Sequence, residues 1–456
     1  MATLVFIASV LTLIIGVGAK YVLDQKQSFY RITIQEFGVA AAILLAVVIP
    51  LTTWVGLKVA YNNAVTYEEY WGGYEVEAVW VRTQCERDGS CVHEYDCDPY
   101  QVTVVDHAAY TDEKGNYHPE ESHEETRYHD CPYTTEEWSF KVRTTLGDYL
   151  IASHWLPTDP DNHRWRWTER VPSNLPSGIP ADWARVKERL SQNKPGPVIA
   201  QRDYANYILA SQHTILKKYS SDIDRYNKAG LLPGVNASIH DYYLADRVYF
   251  VGVSQANVRE WQAKATYFNG AFGLDLQGDL HFVMVDASKI TDPDNYAAAL
   301  AAYWQSPAFG KRAMSKNAML VVVGTTDGAT VAWARGVTGM PKGNEALLLD
   351  IRDNLPGTKL TPDAIFGPPS GELYTDPSSH DVKVRIFHSQ GALDRIMWGP
   401  NKFARVHMDD YRYLAHEIEP TTGQQVVILL LCVLFGCAAW GFCIYAGPDT
   451  FHRFRR

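Results

Sequence analysis

The residues with the most chemical capacity lie in CERDGSCVHEYDCDPY, residues 85–100, and in RYHDCPY further on. Cys85, Cys91, Cys97 and Cys131 share this segment with His93, His107, His118, His123 and His129. Two chemistries compete for them. In an oxidising compartment four thiols form two disulfides, in any of three connectivities. Four N or S donors can instead hold Zn²⁺, but zinc sites draw on close pairs such as CxxC. The Cys-x5-Cys-x5-Cys spacing fits no such pattern, so disulfides are the expectation and a histidine-rich zinc site the alternative.

Between Glu86 and Asp130 there are thirteen Asp or Glu against Arg87, Lys114 and Arg127, an imbalance as large as the chain's net charge of −10. A run of this kind is ordinarily a solvated face. It also has the oxygen ligands for loose Ca²⁺ binding, without EF-hand spacing. So acidic a face excludes nucleic acid as its partner.

Strands must position these groups. YEVEAVWV, YQVTVVDH, WSFKVRTT and YLIASHWL are rich in β-branched and aromatic residues with partial alternation, which predicts a small β-rich module over 61–170. ADWARVKERLSQ and RDYANYILASQHTILKKYSSDIDRYNKAG carry helical spacing, the second predicting one helix of about 28 residues in a connector over 171–232. RVYFVGVS, HFVMVDAS and AMLVVVGTT are short continuous apolar runs separated by helical stretches, the pattern of buried parallel strands. They predict an α/β sandwich over 240–370, followed by a juxtamembrane segment over 371–424. Strand ends in such sheets carry ligands, which places Asp286, Thr325, Thr326 and Asp327 on one rim. The competing reading makes Asp286 and Asp327 turn and cap residues. P-loop, GxSxG, HExxH and GxGxxG motifs are all missing from the sequence, so no complete catalytic constellation is present.

VMVDAS, the crossover YAAALAAYWQSPAFGKRAMSKN and AMLVVVGTTDGATVAWARGVTGM together resemble the TPM domain, an extracytoplasmic, membrane-tethered α/β module. Two landmarks differ: the family's Asn-Gly before the third strand reads Asn317-Ala318, and its Gly-x-Gly reads Gly336-Val-Thr-Gly339. The resemblance implies a sandwich with a central sheet and a role in assembling membrane complexes. It also implies, for some members, acid phosphatase activity, sometimes with Ca²⁺. On that reading a metal between Asp286 and Asp327 polarises a phosphoryl oxygen and activates water. The glycine turn lies near the family's site, which makes Arg335 and Asn344 candidate ligand contacts. The wider layout also resembles membrane proteins encoded by tailed phages, which would imply insertion into a host membrane.

Three apolar runs are long enough to cross a bilayer: residues 1–19, 37–60 and 425–447. The first could be a secretory signal, but it lacks a positive n-region. Lys20, Lys26 and Arg31 lie between the first two runs, and Arg453, Arg455 and Arg456 in the tail 448–456. The positive-inside rule puts both basic segments, 20–36 and 448–456, in the cytoplasm and residues 61–424 outside. No ionisable residue sits at mid-membrane depth, which argues against transport. The sequence therefore predicts a membrane-anchored scaffold or binding protein that engages another protein or a second copy of itself. The alternatives are a metal-dependent phosphate-ester hydrolase and a metal-sensing acidic head.

Overall fold

Pro50 falls inside the second apolar run, and the computed structural model shows how the helix absorbs it. Described are residues 2–25, 33–84, 92–107, 109–111, 117–118, 120–134, 136–156, 180–211, 216–240, 243–255, 257–379 and 381–452. Ahead of Pro50 the helix widens to a π-turn over Leu44–Val48, in which the Ile49 N–H reaches the Leu44 carbonyl. Proline has no N–H to give, and the wider turn redistributes the local bonding without breaking the helix. Thr33 opens this helix with a capping box, accepting from Glu36 N at 3.2 Å while Glu36 Oε2 accepts from Thr33 N at 2.8 Å.

Three helices are long and apolar enough to cross a membrane: Ala2–Gln25, Ile34–Val65 and Thr422–Phe442. They pack on one another through small residues. Gly16 lies against the Trp440 indole, Gly56 against Ile428 and Gly436 against Thr12. Trp440 Nε1 donates to the Thr12 carbonyl at 3.1 Å, and its ring stacks on Phe37. Close approach through glycine, together with a few polar bonds, is how helices associate where lipid removes any hydrophobic gain. Cys432 is a buried packing residue beside Thr53, whereas Cys437 is exposed.

The second span runs directly into strand β1 (Thr66–Gln84), the spine of the domain. Strands β2 (Val92–His107) and β3 (Glu121–Thr134) form a ribbon, and β4 (Glu136–Thr144), β5 (Gly147–Leu156) and β6 (Pro197–Ala205) join β1 in an antiparallel sheet of order β5-β4-β1-β6. Thr66–Tyr74 pairs with β6, whereas Glu75–Gln84 pairs with β4.

The second sheet has the order β10-β9-β8-β7, built from β7 (Val248–Val251), β8 (Asp279–Asp286), β9 (Ala318–Thr325) and β10 (Trp333–Thr338). The first three strands are parallel and β10 is antiparallel. Every residue of β9 is buried, because both faces are covered. Phe282 and Met284 meet Trp261, Phe268 and Phe366 on one side, while Val283 and Val285 meet Tyr296, Leu300 and Trp304 on the other. The continuous apolar runs of the sequence are this two-sided burial. A last hairpin pairs β11 (Ser370–Thr375) with β12 (Val382–Phe387).

One expected helix does not form. Residues 197–205 are strand β6, Tyr207–Ala210 is a single turn capped by Asn206, and a separate helix is described over Leu216–Lys228. Pairing of PVIAQRDYA with TYEEYWGGY satisfies the backbone of both segments and overrides the local helical spacing. The two expected modules also share one body. Gly72 on β1 lies so close to the Val258–Leu276 helix that a Cβ there would meet the Asn269 carbonyl oxygen at 1.8 Å, and one at Gly273 would meet Gly72 N at 2.2 Å.

Candidate functional site

The strand-end rim exists as expected, with Asp286 paired in register to Thr325. Its polar groups are turned inward on their own loops. Asp286 Oδ1 accepts from Ser288 N and Oγ at 3.0 and 2.7 Å, which lowers its pKa. Asp327 accepts from Ala329 N and Thr330 N, both at 2.9 Å, from Thr330 Oγ1 at 2.8 Å and from Thr325 Oγ1 at 3.1 Å. These bonds hold its carboxyl far below the usual range. Thr326 follows Thr325 on the exposed side of the turn. Arg335 forks onto Asp294 at 2.5 and 2.9 Å. Asn344 clamps the backbone of Ala404 with bonds of 2.9 and 2.8 Å, tying the start of the Glu345–Asn354 helix to a loop sixty residues on. Apart from the exposed Thr326, each of these side chains has a conformational task.

A buried polar network sits at the other end of the same strands. Arg247 Nε donates to Asp279 Oδ1 at 2.9 Å, His281 Nε2 lies 3.1 Å from Asp279 Oδ2, and His281 Nδ1 lies 3.1 Å from the Tyr249 hydroxyl. Burial opposes the charged form of Asp279, but Arg247 and then His281 outweigh it and hold its pKa down at about 2. Burial lowers the His281 pKa and pushes Tyr249 up to about 12. Arg247 also stacks on Tyr70 of β1 at 4.7 Å and donates from Nη1 to the Asn236 carbonyl at 2.7 Å. A buried Asp-His-Tyr chain has the polarity of a proton relay, yet Tyr249 accepts from Asn236 N at 3.0 Å and the chain ends inside the core. It joins β1 to the α/β sheet.

A second set of charges lies at the start of β1, close to the end of the second apolar helix. Buried Glu69 binds Arg405 at 2.9 Å and Lys316 at 3.7 Å, and Arg405 and Arg202 both stack on the Trp71 ring at 4.5 and 4.4 Å. Arg312 pairs with Glu68 at 3.7 Å. Beside this cluster a cleft of about 410 Å³ opens at the exit of the second span, lined by Asn63, Thr66, Tyr67, Ser306, Gly310 and Lys311 among others.

The acidic ribbon is largely exposed among its described residues. Among the described residues β2 and β3 pair only with each other, with Val92 opposite Thr134 and His107 opposite Glu121. Tyr100, Val105 and Tyr128 are 40%, 47% and 51% exposed on it. His123 Nδ1 lies 2.7 Å from Asp106 Oδ2, His129 stacks on Tyr100 at 4.5 Å, and His107 is exposed. Cys85 and Cys91 lie outside the described residues, as do the side chains of Cys97, Cys131, His93 and His118, so the expected disulfides and the zinc alternative fall there. Among the described residues no three His, Cys, Asp or Glu are grouped to hold a metal ion.

Sequence reading reached the rim and the ribbon but missed the Glu69–Arg405 and Arg247–Asp279 pairs. The first joins residues 336 positions apart. Its only local signals were the glycines of WGGY and FNGAFG, which permit the backbone contact that brings these elements together. Compared with known proteins, the chain matches no family model, and no curated protein or solved structure is significantly similar to it.

Proposed function

We propose that this chain is a membrane-anchored binding protein that holds an acidic arm out to a protein partner with a basic surface. The observation that carries the reading is the ribbon β2–β3, which pairs only with itself among the described residues. Sixteen residues of strand reach about 50 Å. A two-stranded ribbon without further packing is marginal in water, and exposed tyrosines on an arm are apolar area for a partner to cover. Glu94, Asp96, Asp98, Asp106, Glu121, Glu124, Glu125 and Asp130 stand against Arg127 alone in its two strands. A second copy of the chain would bring the same sign of charge and be repelled, so the complementary partner is basic.

The wider reading places residues 61–424 outside the cytoplasm, on the basic flanks of the spans. It keeps the TPM likeness for residues 240–370, supported by VMVDAS and AMLVVVGTTDG and by the adjacent parallel strands they form. The phosphate-ester hydrolase has less behind it, since Asp286 and Asp327 spend their oxygens on their own turns.

The test is a photocrosslinking residue at position 128 of the full chain in native membranes. The expected result is a discrete adduct to a basic protein. It should be lost on neutralising Asp106, Glu124 and Glu125 together, and weakened by ~1 M salt, where screening acts within about 3 Å. An adduct indifferent to both changes, or none, overturns the reading.

A further inference from the structure

We propose that the cleft at the exit of the second span binds the phosphate of an anionic phosphodiester lipid. Its position comes first. The second span is 32 residues long, about 48 Å of helix against a hydrocarbon core of about 30 Å, so its last turn and the first residues of β1 stand at headgroup depth. Asn63 and Thr66, from that turn and that strand, form one wall.

Polar groups without partners then converge on the cleft. Ser306 Oγ is buried and makes no hydrogen bond. The half-buried Tyr67 has no hydrogen bond to its hydroxyl among the described residues. Lys311 is exposed, and among the described residues it has no carboxylate partner, although Arg312 and Lys316 on the same segment pair with Glu68 and Glu69. The protein neutralises the neighbouring cations and leaves this one for a ligand.

Gly310 fixes the shape of the loop. At φ 54° and ψ −130° it breaks the turn Pro307–Arg312 in a conformation that side chains resist, and open space lies where its Cβ would be. Lys311 follows immediately on the cleft lining, which Ser306 and Tyr67 share. One ammonium and two hydroxyl donors suit a singly charged phosphodiester. Leu209, Ala210 and Pro307 on the lining offer apolar contact to the glycerol and the upper acyl chain.

The same chemistry would accept soluble phosphate, so the test separates the two sources. The full chain in detergent is titrated with phosphatidylglycerol, phosphatidylcholine or inorganic phosphate and read by native mass spectrometry. The expected result is one preferred phosphatidylglycerol adduct. Lys311→Gln should weaken it about tenfold, the value of one charge-assisted bond, while leaving phosphatidylcholine binding unchanged. Ser306→Ala should weaken it less, and Lys342→Gln, at a different surface cleft, not at all. Equal affinity for the two lipids, or insensitivity to Lys311→Gln, overturns the proposal. Displacement of the lipid by inorganic phosphate overturns the lipid source. Lys311 is exposed, so an unchanged melting temperature separates lost binding from lost folding.

Discussion

Arg247 donates from Nε to Asp279 Oδ1 across 2.9 Å, with the two side chains 1% and 2% exposed. The pair lies between β1 and the α/β sheet, and one of its members cannot be removed without stranding the other. Asp279→Asn should therefore cost about 3–5 kcal/mol, the penalty for an uncompensated buried charge. Thermal unfolding of the full chain in detergent reads this directly. A cost below about 1 kcal/mol would mean that the guanidinium finds water or another acceptor.

The same network sets a pH dependence in two windows. Burial lowers the His281 pKa in the folded protein, so the neutral ring beside Tyr249, Asp279 and Trp304 contributes stability above the unfolded value of about 6.5, and this is lost as pH falls below it. Asp279, held at about 2, contributes above about 3.9, and that contribution disappears as pH falls through its folded value. The wild type should lose stability between about pH 6.5 and 5 more steeply than His281→Gln does. Parallel curves for the two proteins would remove His281 from the account.

Gly72→Ala tests the contact that makes one body of two modules. A methyl group at 1.8 Å from the Asn269 carbonyl oxygen must push the helix off the strand, and a backbone neighbour cannot rotate away. The expected loss is at the upper end of the ~1–3 kcal/mol for overpacking, or more. The comparison is Gly423→Ala, where the nearest atom outside the chain neighbours is 4.0 Å away. If both variants melt alike, the strand and helix are not in backbone contact.

The sequence disclosed what depends on local pattern. The three long apolar helices and the parallel strands were legible, since a span-length apolar helix or a strand buried on two faces writes a continuous apolar run. What it hid depends on partners far along the chain. RDYA reads as the start of a helix until TYEEYWGGY is laid beside it. Asn317 reads as an imperfect family landmark, yet its side chain donates to the Tyr70 carbonyl at 2.7 Å and to the Gln277 carbonyl at 3.1 Å, another bond between β1 and the sheet. Asp286 and Asp327 were placed on the right rim by strand-end reasoning, but only geometry shows how their oxygens are spent.

Orientation is the prediction on which the binding reading rests. If residues 61–424 are outside, protease added to intact cells should cut the exposed ribbon and leave the basic tail protected. A tail epitope would then remain on a shortened fragment. Loss of the tail with an intact ribbon would invert the topology and place the acidic arm in the cytoplasm.

The external thiols can then be counted. Denaturing the full chain without reductant and alkylating it should modify three cysteines, Cys432, Cys437 and Cys443, and reduction should raise the number to seven of the seven present. The ribbon also restricts the pairing. Cys97 stands opposite His129 and Tyr95 opposite Cys131, so Cys97 and Cys131 hold diagonal positions. Diagonal neighbours are about 7–8 Å apart, beyond the ~4.4–6.8 Å that a relaxed disulfide spans between Cα atoms. Each should therefore be bridged to Cys85 or Cys91, and peptide mapping should find no Cys97–Cys131 link. Seven modified cysteines before reduction would rule out disulfides and bring the zinc alternative forward. A Cys97–Cys131 link would show that the register of β2 on β3 differs in the oxidised protein.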